Sequence, residues 1–202
     1  MANDSEEAGE VNIIVGKLIT VGPKVKHTFY DADGDFVTVV FTGPAGSTME
    51  LIKPGQSNCD IARLTINGAD YKSSLKVRTK GKGSNTSIND IEIDGALKSL
   101  QAKTTDVTDS INISGNLGKA KLNDLENCTI RSGGKIGKVQ FNNIDNALLS
   151  AKYDIDLVKS KTNIQNTKIL AGYDIGPDCL PDTGDEFFNT SGATIKAVIV
   201  GK

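Results

Sequence analysis

Apolar residues recur along this chain with a period of 19 to 20 residues, and no other property restricts its folding choices so tightly. Leu97, Leu117, Ile136, Ile155, Ile175 and Ile195 are separated by 20, 19, 19, 20 and 20 residues. Three positions behind them come Leu100, Ala120, Val139, Val158 and Val198, and two further on Ala102, Leu122, Phe141, Ser160 and Val200. A second set, Ile88, Val107, Leu125, Ile144 and Ile164, steps by 19, 18, 19 and 20. Two residues after its members stand Asp90, Asp109, Asn127, Asn146 and Asn166, followed by the pairs Ile91/Ile93, Ile111/Ile113, Cys128/Ile130, Ala147/Leu149 and Thr167/Ile169.

Each half-repeat reads apolar-x-x-apolar-x-apolar. The closing alternation is that of a short strand with one face buried, and the i, i+3, i+4, i+7 stripes of helices are missing. Every unit has the same polarity of pattern and nearly the same length, which excludes a meander. The physical solution is a β-solenoid, a parallel β-helix in which each repeat makes one coil and equivalent residues stack into aliphatic columns. About six coils rising ~4.8 Å each give a rod of roughly 30 Å. The column Asp90, Asp109, Asn127, Asn146 and Asn166 is expected at a sharp corner. Asn and Asp tolerate left-handed backbone angles, and stacked amides bond from coil to coil.

Composition agrees with an all-β fold. Tryptophan is absent, there are 21 glycines, and Lys plus Arg number 23 against 25 Asp plus Glu, for a net charge of −2. That balance gives no reason to expect nucleic-acid binding, and the lysines read as scattered over solvated sheet faces, where they discourage unwanted pairing. No apolar run is long enough to span a bilayer as a helix, and no signal peptide begins the chain. Cys59, Cys128 and Cys179 lack CxxC spacing; a Cys59–Cys179 bridge and idle thiols are both compatible with it.

The chain divides into a polar, disordered lead-in over 1–10, a β cap or small β-domain over 11–60, and the solenoid over 61–202, with an insertion at 177–192. Strands are expected at 11–15, 17–21, 36–42 and 48–52, with "TGPAGS" as a tight hairpin turn between the last two. The first coil is read as Ile61, Leu64, Ile66, Tyr71, Leu75 and Val77. At the other end "GPDCLPDTGDEFFNTSG" interrupts the repeat, which resumes over 193–200. Either this insertion folds back as a cap, with Phe187 and Phe188 over the core, or the last coil presents an open edge to a second molecule. A longer chain with further coils is the remaining alternative.

Few residues carry candidate chemistry. Asp31, Asp33 and Asp35 in "DADGD" have alternate spacing around a glycine that can wrap Ca²⁺, or can equally form a solvated turn. Asp178, Asp182, Asp185 and Glu186 form a second acidic group. Tyr153 and Asp154 are expected to stack on Tyr173 and Asp174 one coil later. Carboxylates about 5 Å apart need a shared proton or a cation, and exposed tyrosines can platform a sugar. Such a face suits a carbohydrate-binding or polysaccharide-lyase-like site using calcium, whereas Lys135, one coil earlier, can simply neutralise Asp154. The one histidine, His27, has no motif around it, so nucleophilic triads find no support. Sequons at Asn85, Asn112, Asn127 and Asn189 occur at the rate expected of an Asn/Ser/Thr-rich chain.

"IDNALLSAKYDIDLV" and "IQNTKILAGYDIG" resemble the repeats of filamentous-haemagglutinin-type exoproteins, which run roughly Ile-x-Asn-x-x-Leu-x-Ala-Gly-x-Asp-Ile-x-Leu. The similarity covers about 61–200 in pattern and 140–176 in wording, and residues 1–60 match nothing of that family's secretion domain. The resemblance implies a right-handed parallel β-helix and a bacterial surface adhesin. The expected function is therefore a non-catalytic structural or adhesive module, extracellular or at the cell surface. Its expected partners are a surface carbohydrate or a second copy joined through the solenoid ends into filaments.

Overall fold

The structure, a computed structural model, describes residues 17–53, 60–81, 83–189 and 191–201. Among them there is no helix, and the chain forms a β-solenoid. The expected strand at 11–15, the lead-in and Cys59 lie outside the described residues.

Two large sheets face each other across the core. The first contains β1 (Lys17–Val21), β4 (Thr48–Ile52), β5 (Ile61–Ala69), β7 (Thr86–Gly95) and β9 (Thr105–Ile113). Beyond β9 it divides into two ladders. One is β11 (Asp124–Glu126), β14 (Asn143–Asp145) and β17 (Ile164–Gln165); the other is β12 (Thr129–Ser132), β15 (Leu148–Ala151) and β18 (Lys168–Ala171). The second sheet runs through β2 (Lys24–Tyr30), β3 (Phe36–Thr42), β6 (Ser74–Lys80), β8 (Leu97–Ala102), β10 (Leu117–Leu122), β13 (Ile136–Phe141), β16 (Ile155–Ser160) and β21 (Val198–Val200). A small sheet pairs β19 (Tyr173–Asp174) with β20 (Phe187–Phe188).

From β5 onward neighbouring strands in both large sheets are parallel, as stacking of like on like requires. Leu117 lies on Leu97 and beneath Ile136, and Ile111 on Ile91 and beneath Ile130. These columns are fully buried, and each interior aliphatic side chain stabilises the rod by about 1.5–3 kcal/mol. The N-terminal block is continuous with the rod: β4 pairs antiparallel with β5, and β3 with β6.

The solenoid has about four turns, fewer than the six expected. The first unit is flanked by antiparallel strands, and the last is broken. Ile155 bridges directly to Ile195, 40 residues on, so Ile175 is not a member of that column. The insertion consumes a whole coil's length. It leaves the solenoid after Gly172, whose N–H bonds Ala151 O at 2.9 Å, and returns at Thr194, whose carbonyl accepts from Ile155 N at 2.9 Å. Its bounds are therefore about 173–193 rather than 177–192.

Two further expectations are corrected. "TGPAGS" is a crossing rather than a hairpin turn, since β3 and β4 belong to different sheets; the hairpin is β2–β3, joined by 31–35. Tyr71, placed in the first coil's core, is 70% exposed in the turn before β6.

The corner explains why the first sheet divides. Asn127, Asn146 and Asn166 have φ of 52°, 49° and 49°, the left-handed region, and the Asn146 amide donates to Asn127 Oδ1 at 2.6 Å. Asp90 and Asp109 do not share this corner. Ile88 and Ile91 are three residues apart, Val107 and Ile111 four, and Leu125 and Ile130 five, as are Ile144/Leu149 and Ile164/Ile169. Three or four residues pass as a bulge in a continuous strand; five force the chain round a bend. Asp90 instead lies level with Ser110, whose hydroxyl donates to it at 2.7 Å, and Asp109 lies within β9.

Candidate functional site

The tyrosine–aspartate pairs do not stack. The residue one coil above Asp154 is Thr194, whose N–H and hydroxyl both donate to Asp154 Oδ1 at 3.0 Å. These bonds, with Lys135 and Lys196 beyond, hold the Asp154 carboxyl below its ordinary range. Lys135 Nζ lies 3.9 Å from Asp154 and 3.0 Å from Asp156, and Lys196 Nζ 2.6 Å from Asp156, so charge on this edge is matched. Tyr153 is 47% exposed at the coil edge. Tyr173 lies on Phe188, ring centroids 4.6 Å apart. The expected sugar platform with a shared cation is therefore not assembled: the insertion carries Tyr173 and Asp174 out of the repeat.

Asp174 does other work. Arg131 is the outward residue between buried Ile130 and Ser132, and level with it lie Ser150 one coil later and Asn112 one coil earlier. The segment 173–177 runs along this column from the later coil back toward the earlier ones. Ser150 donates its hydroxyl to Tyr173 O. Arg131 grips the Asp174 carboxylate with Nε at 2.6 Å and Nη2 at 3.0 Å, and its Nη1 donates to Asn112 Oδ1 at 2.8 Å. Asn112 Nδ2 then donates to Pro177 O at 2.7 Å. Both partners of the ion pair are over nine-tenths buried. The bidentate fork is the geometry that repays taking two charges out of water.

The insertion is thus a strap along the side of the rod, and the expected cap over its end is not formed. Phe187 and Phe188 are exposed, Lys152 Nζ sits 4.2 Å from the centroid of the Phe187 ring, and Ile175 and Cys179 are the strap's buried apolar side chains. Burial pushes the Cys179 thiol up to about 12 and the Cys128 thiol further still. Among the described residues both are free.

The acidic motifs serve their own turns. Asp31 closes the β2–β3 hairpin, accepting from Asp35 N at 2.7 Å on its side chain and from Gly34 N at 3.2 Å on its carbonyl. Burial, then the Asp60 and Asp35 carboxylates, raise Asp31 against the pull of that Asp35 bond. Asp35 accepts from Ser84 Oγ, and Asp33 is exposed. In the strap, Asp178 accepts from Leu180 N, Asp185 from the Thr183 hydroxyl and Glu186 from Gly184 N. Among the described residues no group of three or more His, Cys, Asp or Glu side chains is arranged to hold a metal ion.

The C-terminal coil leaves its core columns uncovered among the described residues. Ile195, Val198 and Val200 continue columns that are buried in every preceding coil, yet they are 39%, 47% and 52% exposed. β21 and the ladder ends β17 and β18 each have one strand neighbour within their ladders and a free edge on the other side among the described residues. The repeat pattern pointed to this edge. It missed Arg131, Asn112 and Ser150; the one available signal was an arginine on a sheet face in a chain whose basic residues are mostly lysine. Comparison with protein-family models, curated proteins and solved structures found no match for this chain.

Proposed function

We propose that this chain is a non-catalytic structural or adhesive β-solenoid, extracellular or at the cell surface, that joins end to end through its C-terminal coil. The observation that carries this reading is the exposure of Ile195, Val198 and Val200, core residues by position that no further strand covers among the described residues. A flat parallel edge with apolar side chains is a template for another strand. A second copy docking there covers the columns and continues the sheets, and a head-to-tail contact of this kind propagates into filaments. The non-catalytic reading is supported by the fate of Asp154 and Asp174, each held in a structural contact. Placement outside the cell is inferred from the resemblance of 140–176 to exoprotein repeats.

Negative-stain electron microscopy over a concentration series tests the assembly. Rods whose length grows with concentration are expected; monomers at every concentration contradict it, and closed dimers alone contradict the filament.

A further inference from the structure

The net charge of −2 conceals a segregation that only the fold makes visible. Strands β6, β8, β10 and β13 contain no aspartate or glutamate. Their outward positions, continued by one from β16, align into a ladder, Lys76, Gln101, Lys121, Gln140 and Lys159, one residue per coil. Lys119 and Lys138 stand side by side in the neighbouring column. The only carboxylate on β16, Asp156, is taken by Lys135 and Lys196. Among the described residues no carboxylate pairs with a ladder lysine, since the ion pairs there use Arg63, Arg131, Lys135 and Lys196. The carboxylates gather on the opposite sheet, as in Asp90, Glu92 and Asp94 of β7.

The ladder borders a cleft of about 250 Å³ walled by Lys103, Lys121, Lys159 and Lys161, with Gln140 and Asn142 between them and no carboxylate in its lining. Unpaired cations two coils, about 10 Å, apart along the ladder, with Lys119 and Lys138 one coil apart beside it, make a linear positive potential along the rod.

We propose that this face binds an acidic polysaccharide, a chain of sugars bearing carboxylates or sulfates, laid along the solenoid axis. Lysines alternating with glutamines suit a ligand that alternates charge with hydroxyl groups, because the amide both donates and accepts. Nucleic acid fits less well. The ladder carries no aromatic ring to stack a base, and a flat sheet inserts nothing into a duplex groove. An anionic bilayer is flat and does not enter the cleft. The inference gives the adhesive reading a ligand class, and it rests on that reading but not on end-to-end assembly.

The test is binding of the full chain to immobilised polygalacturonate and heparin at 50 and 300 mM NaCl. The variants are Lys121→Gln/Lys159→Gln/Lys161→Gln and, with the same charge change elsewhere, Lys72→Gln/Lys152→Gln/Lys168→Gln. Binding that weakens steeply with salt is expected. The ladder variant loses about fivefold per lysine, roughly a hundredfold in all, while the control loses little. Val198→Lys, which blocks the end contact, binds as wild type, so failure of assembly and failure of this inference are distinguishable. Four results overturn it: no binding at 50 mM NaCl, equal loss in both triple variants, tighter binding to DNA or anionic vesicles than to either polysaccharide, or ladder substitutions that alter only self-association.

Discussion

Replacing Arg131 with methionine keeps most of its apolar stem and removes the charge that faces Asp174. The Asp174 carboxylate then loses bonds of 2.6 and 3.0 Å, and Asn112 loses one of 2.8 Å, in a site where both partners of the pair are less than a tenth exposed. An uncompensated buried charge costs about 3–5 kcal/mol. The strap has a cheaper response than unfolding the rod, because lifting away returns Asp174 to water and regains backbone entropy of about 1–2 kcal/mol per freed residue. Against this stands the burial of Ile175, about 1.5–3 kcal/mol. Opening therefore replaces global unfolding, and the reporter is the Cys179 thiol, 6% exposed and shifted up to about 12 by burial. In a Cys59→Ser background, with buried Cys128 as internal reference, labelling of Cys179 by a thiol reagent is expected to rise by about a hundredfold in Arg131→Met, the factor that ~3 kcal/mol supplies. Asp174→Asn acts in the same direction. Arg131→Met/Asp174→Leu recovers part of the loss, since an apolar pair replaces a buried ion pair with little penalty. A change under threefold in Arg131→Met, with negligible coupling in the double-mutant cycle, refutes the clamp.

Other substitutions probe the solenoid. Asn127→Gly keeps the left-handed corner and loses only the 2.6 Å bond from Asn146, about 1 kcal/mol by urea denaturation; Asn127→Val adds the 1–2 kcal/mol of a forced positive φ. A Cβ on Gly137 meets the Gly118 carbonyl oxygen at 2.2 Å, so Gly137→Ala separates two coils and costs about 1–3 kcal/mol in the same assay. The Asp154 carboxyl is held low by Thr194. Its contribution to docking the last coil is present above the unfolded value near 3.9 and is lost as pH falls through the lower folded value. Amide exchange at Lys196 and Gly201, which donate to Ile155 and Ser160 carbonyls, is expected to accelerate over that window in wild type and to lose this pH dependence in Asp154→Asn.

The columns were legible because a solenoid writes its core as a period: Leu97, Leu117, Ile136 and Ile155 needed only to be counted. Counting misled where two stretches shared wording but not path. Ile175 follows Tyr-Asp as Ile155 does, yet the chain has already left the coil at Gly172, and a repeat phrase does not record which way its neighbours turn. The corner was legible at its three asparagines; Asp90 and Asp109 were misplaced because the gap to the next apolar residue, three or four instead of five, decides between bulge and bend. Arg131 and Asp174 are 43 residues apart and meet through the strap alone. Alternation placed the lysines outward, but their gathering on one sheet depends on which half of each coil carries them, and net charge sums that away.

The open C-terminal edge is tested most directly by sedimentation velocity on wild type and Val198→Lys across a hundredfold range of concentration. Val198 stacks on buried Val158 at the end of the column, and an inward-pointing charge there protects a strand edge from pairing. Wild type is expected to sediment as concentration-dependent oligomers and the variant as a monomer with an unchanged far-ultraviolet spectrum. A wild-type monomer throughout, or oligomers that Val198→Lys leaves untouched, contradicts assembly through this coil.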